Sequence, residues 1–128
     1  MEYRDLFRMA DAAKQNAYAP FSGFRVGAAL LTGSGEVYTG VNVENSSYGG
    51  TICAERTAFV KAVSEGERTF KAIAITSSGG EVAPCGICRQ FMYEFEPELD
   101  VITGEDEENL KVQKLSDLLP GGFRLEKK

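Results

Sequence analysis

The sequence contains no histidine, and this absence excludes the commonest catalytic arrangements. The chain has 128 residues, and none of them is His. Nucleophilic sites that pair serine or cysteine with histidine therefore cannot form. Proton transfer near neutral pH must instead come from Glu, Asp, Lys, Tyr or Cys, or from a water molecule bound to a metal.

Long apolar runs and clustered basic residues are missing as well. The longest apolar run, Val26 to Leu31, has the length of a strand and falls far short of the roughly 20 residues that span a membrane. The first residues lack the basic and apolar regions of a signal peptide. The net charge is −5, and no basic stripe is present that could neutralise nucleic-acid phosphates. We therefore expect a cytoplasmic protein that binds a small, weakly charged molecule and neither nucleic acid nor a membrane.

Hydrophobic periodicity predicts one α/β domain over residues 1–128. The predicted helices cover residues 3–16, 53–64, 84–95 and 116–119, and the predicted strands cover residues 25–32, 36–44, 70–77, 99–103 and 110–113. One hairpin followed by β-α-β units predicts a mixed, largely parallel five-stranded sheet with helices on both faces. Pro84 is expected to open the third helix, where its missing N–H leaves no hydrogen bond unmade. In the second strand, Asn42 and Glu44 fall on the same face.

Three cysteines are the residues best suited to hold a metal. Cys85 and Cys88 are three residues apart at a predicted helix start, which places both sulfurs on one side of that helix. Cys53 stands at the start of another predicted helix. The unpaired N–H groups of a helix N-terminus favour the thiolate form of cysteine. Three thiolates can bind one Zn²⁺ and leave its fourth position open for water, as in catalytic zinc sites.

Two charged residues follow Cys53 closely. Three thiolates and a hydroxide around Zn²⁺ carry a net negative charge, which weakens the metal as a Lewis acid. Arg56, three residues after Cys53 on the same helical side, is predicted to offset that charge by donating hydrogen bonds to a thiolate. Glu55 can project towards the metal without binding it, and it can carry a proton there.

Other interpretations of these residues remain open at this point. The Cys85–Cys88 pair alone is equally compatible with a redox pair or with two buried structural cysteines. A helix glutamate such as Glu55 is usually a solvated surface group, and Arg56 is compatible with the same surface position.

The arrangement of motifs resembles a known family. Cys53-Ala54-Glu55, then 28 intervening residues, then Pro84-Cys85-Gly86-Ile87-Cys88 resembles the signature of zinc-dependent nucleoside and nucleotide deaminases. Further segments are similar to the small homotetrameric cytidine deaminases, namely Val26–Leu31, Asn42–Asn45 with Tyr48, Cys53–Ala58 and Leu118–Pro120. The resemblance covers nearly the whole chain. It implies the three-layer fold of cytidine deaminases and one Zn²⁺ per chain. The implied reaction is hydrolysis of cytidine or deoxycytidine to the uridine form and ammonia, as in pyrimidine salvage.

The resemblance also implies a role for individual residues. Cys53, Cys85 and Cys88 would bind the metal, and Glu55 would be the catalytic proton shuttle. The substrate-binding residues would be Asn42 and Glu44 on the ribose 3′-hydroxyl, Phe24 against the pyrimidine ring, and Ala54. Tyr48 and Phe123 would enter the active site of a neighbouring subunit, because the homotetramers of this family share their active sites.

The sequence departs from the family pattern at a few positions. Phe21 stands where tyrosine is frequent, Gly23 where a larger polar residue is common, and Gly49-Gly50 makes the loop before Cys53 more flexible. These departures concern the pocket more than the reaction. The alternatives are a related deaminase of a nucleotide, a modified nucleoside, RNA or DNA, a thiol redox protein, and a non-catalytic structural zinc module.

Overall fold

The computed structural model describes all 128 residues, which form four α-helices and five strands. The helices are α1 (Tyr3–Ala13), α2 (Ala54–Ser64), α3 (Gly86–Tyr93) and α4 (Leu115–Leu118), and the strands are β1 (Val26–Thr32), β2 (Val37–Val41), β3 (Phe70–Ser77), β4 (Asp100–Gly104) and β5 (Leu110–Lys114). Short 3₁₀ turns cover Lys14–Asn16 and Tyr48–Gly50. No helix combines the length and the apolar character that crossing a bilayer requires.

The five strands form one mixed sheet in the order β2-β1-β3-β4-β5. This confirms the predicted α/β class and the mixed five-stranded sheet. The expectation that the sheet is largely parallel was wrong, because only β3 and β4 pair in parallel. β1 is antiparallel to both of its neighbours, and β5 returns antiparallel to β4 through a tight loop. A short connection can only reverse a strand's direction, whereas a parallel neighbour needs a crossover such as α3.

Helices cover both faces of the sheet, so the predicted arrangement of helices on two sides is confirmed. Successive residues of β1 and β3 point to opposite faces. One face packs on α1 through the buried side chains Leu6, Phe7, Ala10, Ala29, Leu31, Ala72, Ala74 and Ile102. The other face packs on α2 and α3 and includes the buried Ala28, Leu30, Ala58, Phe59, Ile73, Ile75 and Met92. The candidate site lies on this second face.

Several predicted boundaries shift for local reasons. Pro84 does not open α3; it precedes the N-cap residue Cys85, whose sulfur accepts a hydrogen bond from the Cys88 N–H. The last helix was predicted over residues 116–119 but covers Leu115–Leu118, with Lys114 as its N-cap residue. Strand β2 ends at Val41, and Asn42 leaves the ladder because its side chain binds backbone groups of residues 24 and 26.

Two glycines let the sheet and its helices approach closely. A Cβ atom on Gly27 would lie 2.1 Å from the carbonyl oxygen of Ala10 in α1. A Cβ atom on Gly40 would lie 2.5 Å from the Ala54 carbonyl oxygen and 2.4 Å from the Ala58 backbone nitrogen. Because these neighbours are backbone atoms of helices, a side chain at either glycine must displace a whole helix. Gly40 therefore sets the position of α2, which begins next to Cys53.

We expect the Gly40→Ala substitution to destabilise the protein by about 1–3 kcal/mol, the usual cost of overpacking a tight contact. Gly49→Ala is the matched control, because no atom lies within 4 Å of its Cβ position and its φ is not positive. That control should be neutral or up to about 1 kcal/mol more stable. Urea unfolding followed by circular dichroism measures both. Equal stability of the two variants would show that the contact at Gly40 does not position α2.

Candidate metal centre and active-site cavity

The N-termini of α2 and α3 meet on one face of the sheet and bring the three cysteines together. Cys53 is the N-cap residue of α2 and Cys85 is the N-cap residue of α3, both with extended backbone angles. Cys88 lies in the first turn of α3 and is fully buried. All three cysteines are free thiols. Each sulfur therefore faces the positive end of a helix.

The spacing of the sulfurs fits a tetrahedral zinc ion. The three Sγ atoms lie within 4.8 Å of one another, and those of Cys53 and Cys85 are 3.8 Å apart. With zinc–sulfur bonds of about 2.3 Å, two sulfurs of a tetrahedral site are about 3.8 Å apart. The chain offers no histidine or fourth cysteine as a further ligand. The donor set therefore fits one zinc ion with one position open to solvent or substrate.

Hydrogen bonds prepare one of the thiols to ionise. The Cys88 thiol stabilises the Cys53 thiolate, and together with the Arg56 guanidinium it outweighs burial and lowers the pKa of Cys53 to about 5. The same interaction with Cys53, together with burial, raises the pKa of Cys88. Without a metal, the two sulfurs therefore share one proton. A divalent cation between them favours the thiolate at both positions and releases that proton.

Glu55 is buried next to the sulfur cluster. Its side chain is on the first turn of α2, and the residue is only 4% exposed. Burial is the main cause that raises the pKa of Glu55 to about 7, and the negative charge of Cys53 adds to it. A carboxyl group with a pKa near neutrality can both accept and release a proton at physiological pH.

Arg56 reaches the sulfur cluster from the same turn of α2. Its Nη2 donates to the Cys53 sulfur at 3.6 Å. Its Nε is buried and has no hydrogen-bond partner. The guanidinium therefore supplies a positive charge beside the thiolate.

A cavity of about 240 Å³ opens next to the cysteines. Its wall is mostly apolar and consists of Phe24, Val26, Asn42, Thr51, Ile52, Cys53, Ala54, Glu55, Ile75, Val82, Ala83 and Cys85. Phe24, Asn42 and Ala54, for which the family resemblance implied substrate contacts, thus lie together with two of the cysteines and Glu55. The Phe24 ring fits against the backbone of Gly79, where a Cβ atom would lie 2.7 Å from it.

Three of the predicted substrate-contacting residues lie outside this cavity. Glu44 and Tyr48 line an adjacent cavity of about 310 Å³, and Thr51 lies in the walls of both. Tyr48 is 81% exposed. Phe123 lies on the C-terminal segment beside α3, where its carbonyl accepts a hydrogen bond from Gln90 and its side chain is 63% exposed. Within one chain, neither Tyr48 nor Phe123 reaches the cysteines.

Asn42 and Glu44 hold the segment that carries Phe24. The Asn42 side chain accepts from the Val26 N–H and donates to the Phe24 carbonyl, both at 2.8 Å. The Glu44 carboxylate accepts hydrogen bonds from the Phe21 and Ser22 N–H groups and from the Ser22 hydroxyl. These bonds, that of the Ser22 hydroxyl foremost, lower the pKa of Glu44. Glu44 is therefore ionised at neutral pH and can only accept further hydrogen bonds.

Sequence reasoning missed half of the cavity wall. Thr51 and Ile52 directly precede Cys53, and Val82 and Ala83 directly precede Pro84. Their proximity to the two cysteine motifs was the available signal, because residues leading into a helix N-terminus lie next to its cap. Ile75 had no such signal, since it looked like an ordinary strand residue, and Val26 belongs to a segment that is similar to the family but was given no role of its own.

Comparisons with known proteins agree with this geometry. A family model described as cytidine and deoxycytidylate deaminase zinc-binding region matches residues 1–104. The chain is 48% identical to a probable cytidine deaminase of Dictyostelium discoideum, over 98% of this chain and 88% of that protein. It is 44% identical to a cytidine deaminase of Sporosarcina psychrophila, over 98% of this chain and 94% of that protein. The crystal structure of the cytidine deaminase from Burkholderia pseudomallei matches with a TM-score of 0.91 and 46% identity, covering 96% of this chain and 100% of that chain.

We expect the Arg56→Ala variant to bind zinc about 10- to 100-fold more weakly, the usual effect of removing a group that supports a metal ligand. Without the guanidinium, the thiols hold their protons more firmly, and zinc must displace them. Competition with a coloured chelator measures the affinity. The control is Arg68→Ala, because Arg68 follows the same helix but donates only to backbone carbonyls. Unchanged zinc affinity in Arg56→Ala would contradict the assigned role.

Proposed function

The chain belongs to the cytidine and deoxycytidylate deaminase family, and from that membership we propose that Cys53, Cys85 and Cys88 hold the zinc ion while Glu55 moves the protons. The protein is a zinc-dependent enzyme that hydrolyses cytidine or deoxycytidine to uridine or deoxyuridine and ammonia. The observation that carries the residue assignment is the meeting of three sulfurs beside a cavity whose wall includes two of those cysteines and the buried Glu55 carboxyl group.

Zinc, the three cysteines and Arg56 have different chemical roles at the site. When bound, zinc lowers the pKa of a coordinated water to about 7, from 15.7 in bulk water, and so supplies hydroxide at neutral pH. Cys53, Cys85 and Cys88 would hold the metal beside the cavity. Arg56 limits the negative charge that three thiolates would otherwise build up there.

Glu55 is suited to carry protons between water and substrate. Its carboxylate accepts a proton from the attacking water and donates it to ring nitrogen N3, which makes C4 more electrophilic. The water oxygen forms a bond to C4. Glu55 then takes the remaining proton from the oxygen on C4 and transfers it to the exocyclic amine, so that the C4–N bond breaks, a C4=O carbonyl forms and ammonia leaves. The raised pKa and the burial of Glu55 support this role, because the group can cycle between its two forms near pH 7.

The rest of the cavity suits a nucleoside. Its apolar wall, including Phe24 and Ala54, can accept the flat pyrimidine ring next to Glu55. Asn42 keeps one side-chain N–H beyond its bond to Phe24, and Glu44 accepts further hydrogen bonds. Both can therefore bind a sugar hydroxyl, and we assign them to the 3′-hydroxyl of the ribose.

A nucleotide is a weaker candidate for the substrate. The residues that line the cavity include no Lys or Arg, so nothing there neutralises a phosphate group. The adjacent cavity is lined by the ionised Glu44, whose negative charge repels a phosphate group. The chemistry of a thiol redox protein does not require the buried glutamate that lies beside the sulfurs. A structural zinc module does not require the cavity that opens next to them.

We expect the zinc-loaded protein to convert cytidine to uridine with stoichiometric ammonia release, and to leave cytidine monophosphate nearly untouched. Ultraviolet absorbance follows the pyrimidine, and a coupled assay measures ammonia. Bound zinc without ammonia release would favour a structural zinc module. A reversible Cys85–Cys88 disulfide without stoichiometric zinc would favour a redox protein.

In the same assay, Glu55→Gln should lower kcat by about 10²- to 10⁴-fold while zinc content and fold remain. Glutamine keeps the size of the side chain but cannot take up or release the proton. Glu65→Gln at the exposed end of the same helix serves as the control. Unimpaired turnover in Glu55→Gln would remove the proton shuttle from the mechanism.

We further propose that the enzyme is a homotetramer whose active sites are shared between subunits. Tyr48 and Phe123 are large, apolar and mostly exposed in one chain, although each lies on a segment fixed by hydrogen bonds. Burial against a neighbouring subunit would remove this apolar surface from water. A cytoplasmic location and a role in pyrimidine salvage stay predictions from the composition and the family.

Mixing two inactive or impaired variants tests the shared site. We expect Phe123→Ala to raise KM for cytidine, and Glu55→Gln to lose turnover. After the two are unfolded and refolded together, some sites combine an intact Glu55 with an intact Phe123 of a neighbour, and the normal KM should return. Leu125→Ala, on the same exposed segment, is the control with unchanged KM. A monomeric protein in ultracentrifugation, or no recovery in the mixture, would exclude the shared site.

A further inference from the structure

Arg89 bridges two backbone carbonyls that belong to different parts of the fold. Its Nε donates to the Pro84 carbonyl at 2.8 Å, and its Nη1 donates to the Leu118 carbonyl at 2.7 Å. Leu118 is the last residue of α4, and Pro84 directly precedes the cysteine at position 85. The guanidinium thus connects the turn that carries a zinc ligand to a helix 29 residues further along the chain.

The planar guanidinium is well suited to this connection. None of the ion pairs in the structure involves Arg89, so its hydrogen-bonding groups are committed to the two carbonyls rather than to a carboxylate. Arginine presents its N–H groups in a rigid fork, which fixes the relative position of two acceptors. A lysine ammonium is a point charge on a flexible stem and lacks that fork.

Fixing the Pro84 carbonyl fixes the Cys85 Cα atom. The carbonyl oxygen of Pro84 and the Cα of Cys85 belong to one planar peptide unit. The proline ring also holds φ of residue 84 within a narrow range. By holding this carbonyl, Arg89 restrains the backbone from which the Cys85 sulfur projects.

We propose that Arg89 is a positioning residue that holds the Pro84–Cys85 turn against α4 and thereby keeps the cysteine ligands in place for zinc. The neighbouring Gln90 serves another purpose, since its side chain binds the Phe123 carbonyl at 2.8 Å and anchors the C-terminal segment. This inference rests on the proposed zinc ligands. The test measures zinc release in the absence of substrate. A negative result for Arg89 can therefore be distinguished from a failure of the protein to deaminate cytidine.

The experiment follows the release of zinc from the loaded protein to an excess of coloured chelator. We expect Arg89→Ala to release zinc about 10- to 100-fold faster than the unmodified protein. Arg68→Ala is the matched control, because Arg68 also donates to two backbone carbonyls but lies away from the cysteines. Gln90→Ala frees the C-terminal segment without touching the turn. Both controls should release zinc at the unmodified rate.

Two further measurements separate positioning from a general loss of stability. Co²⁺ in place of zinc gives visible absorption bands that report on ligand geometry, and these should shift in Arg89→Ala but not in Arg68→Ala. Arg89→Lys keeps the positive charge, so this variant should fold even if Arg89→Ala does not. Its rate of zinc release should lie between those of the unmodified protein and Arg89→Ala. Unchanged release in Arg89→Ala, equal acceleration in Arg68→Ala, or a fully normal Arg89→Lys would each overturn the proposal.

Discussion

Three sulfur atoms from two helices have to meet within 4.8 Å of one another, and the other features of the site depend on that meeting. Two of the cysteines are N-cap residues, where an extended backbone lets the side chain fold over the first turn of the helix. Both helix N-termini also turn their positive ends towards the sulfurs. The same arrangement therefore brings the three cysteines together next to the positive ends of two helices.

Glu55 and Arg56 are neighbours in the first turn of α2, but their side chains contact different parts of the site. Both lie within three residues of Cys53, but Glu55 is buried in the cavity wall, which raises its pKa. Arg56 donates a hydrogen bond to the Cys53 sulfur and brings a positive charge to the sulfur cluster. Because α2 fixes both side chains, the carboxyl group stays available for protons while the guanidinium moderates the charge of the sulfur cluster. The position of α2 depends in turn on Gly40, whose lack of a side chain permits the close approach.

The sequence was most informative where chemistry and local structure coincide. Strand β3 spans the predicted residues, and the predicted helices after Cys53 and Pro84 exist, because apolar periodicity and cysteine spacing mark them clearly. Which side of α3 faces the sheet was not encoded as clearly, because the apolar Ile87 is 67% exposed while Met92 of the same helix is buried. The extra contacts of Asn42 and Glu44 with residues 21–26 could not be predicted either, because they depend on how a loop folds back on itself. Family resemblance supplied the substrate roles, which no spacing in the chain encodes.

Strand β1 runs antiparallel to β3. The sequence did not predict this arrangement, and the active site depends on it. Val26, the first residue of β1, pairs with Ser77, the last residue of β3. The start of β1, the end of β2 and the end of β3 therefore lie at the same edge of the sheet, where α2 and α3 also begin. In a parallel arrangement, the beginning of β1 would lie at the opposite edge, about 20 Å away for a strand of this length. Phe24 and Asn42 could then not share a cavity with the cysteines. A hairpin at the beginning of the chain and a β-α-β unit behind it can build one site only because β1 enters the sheet against the direction of β3.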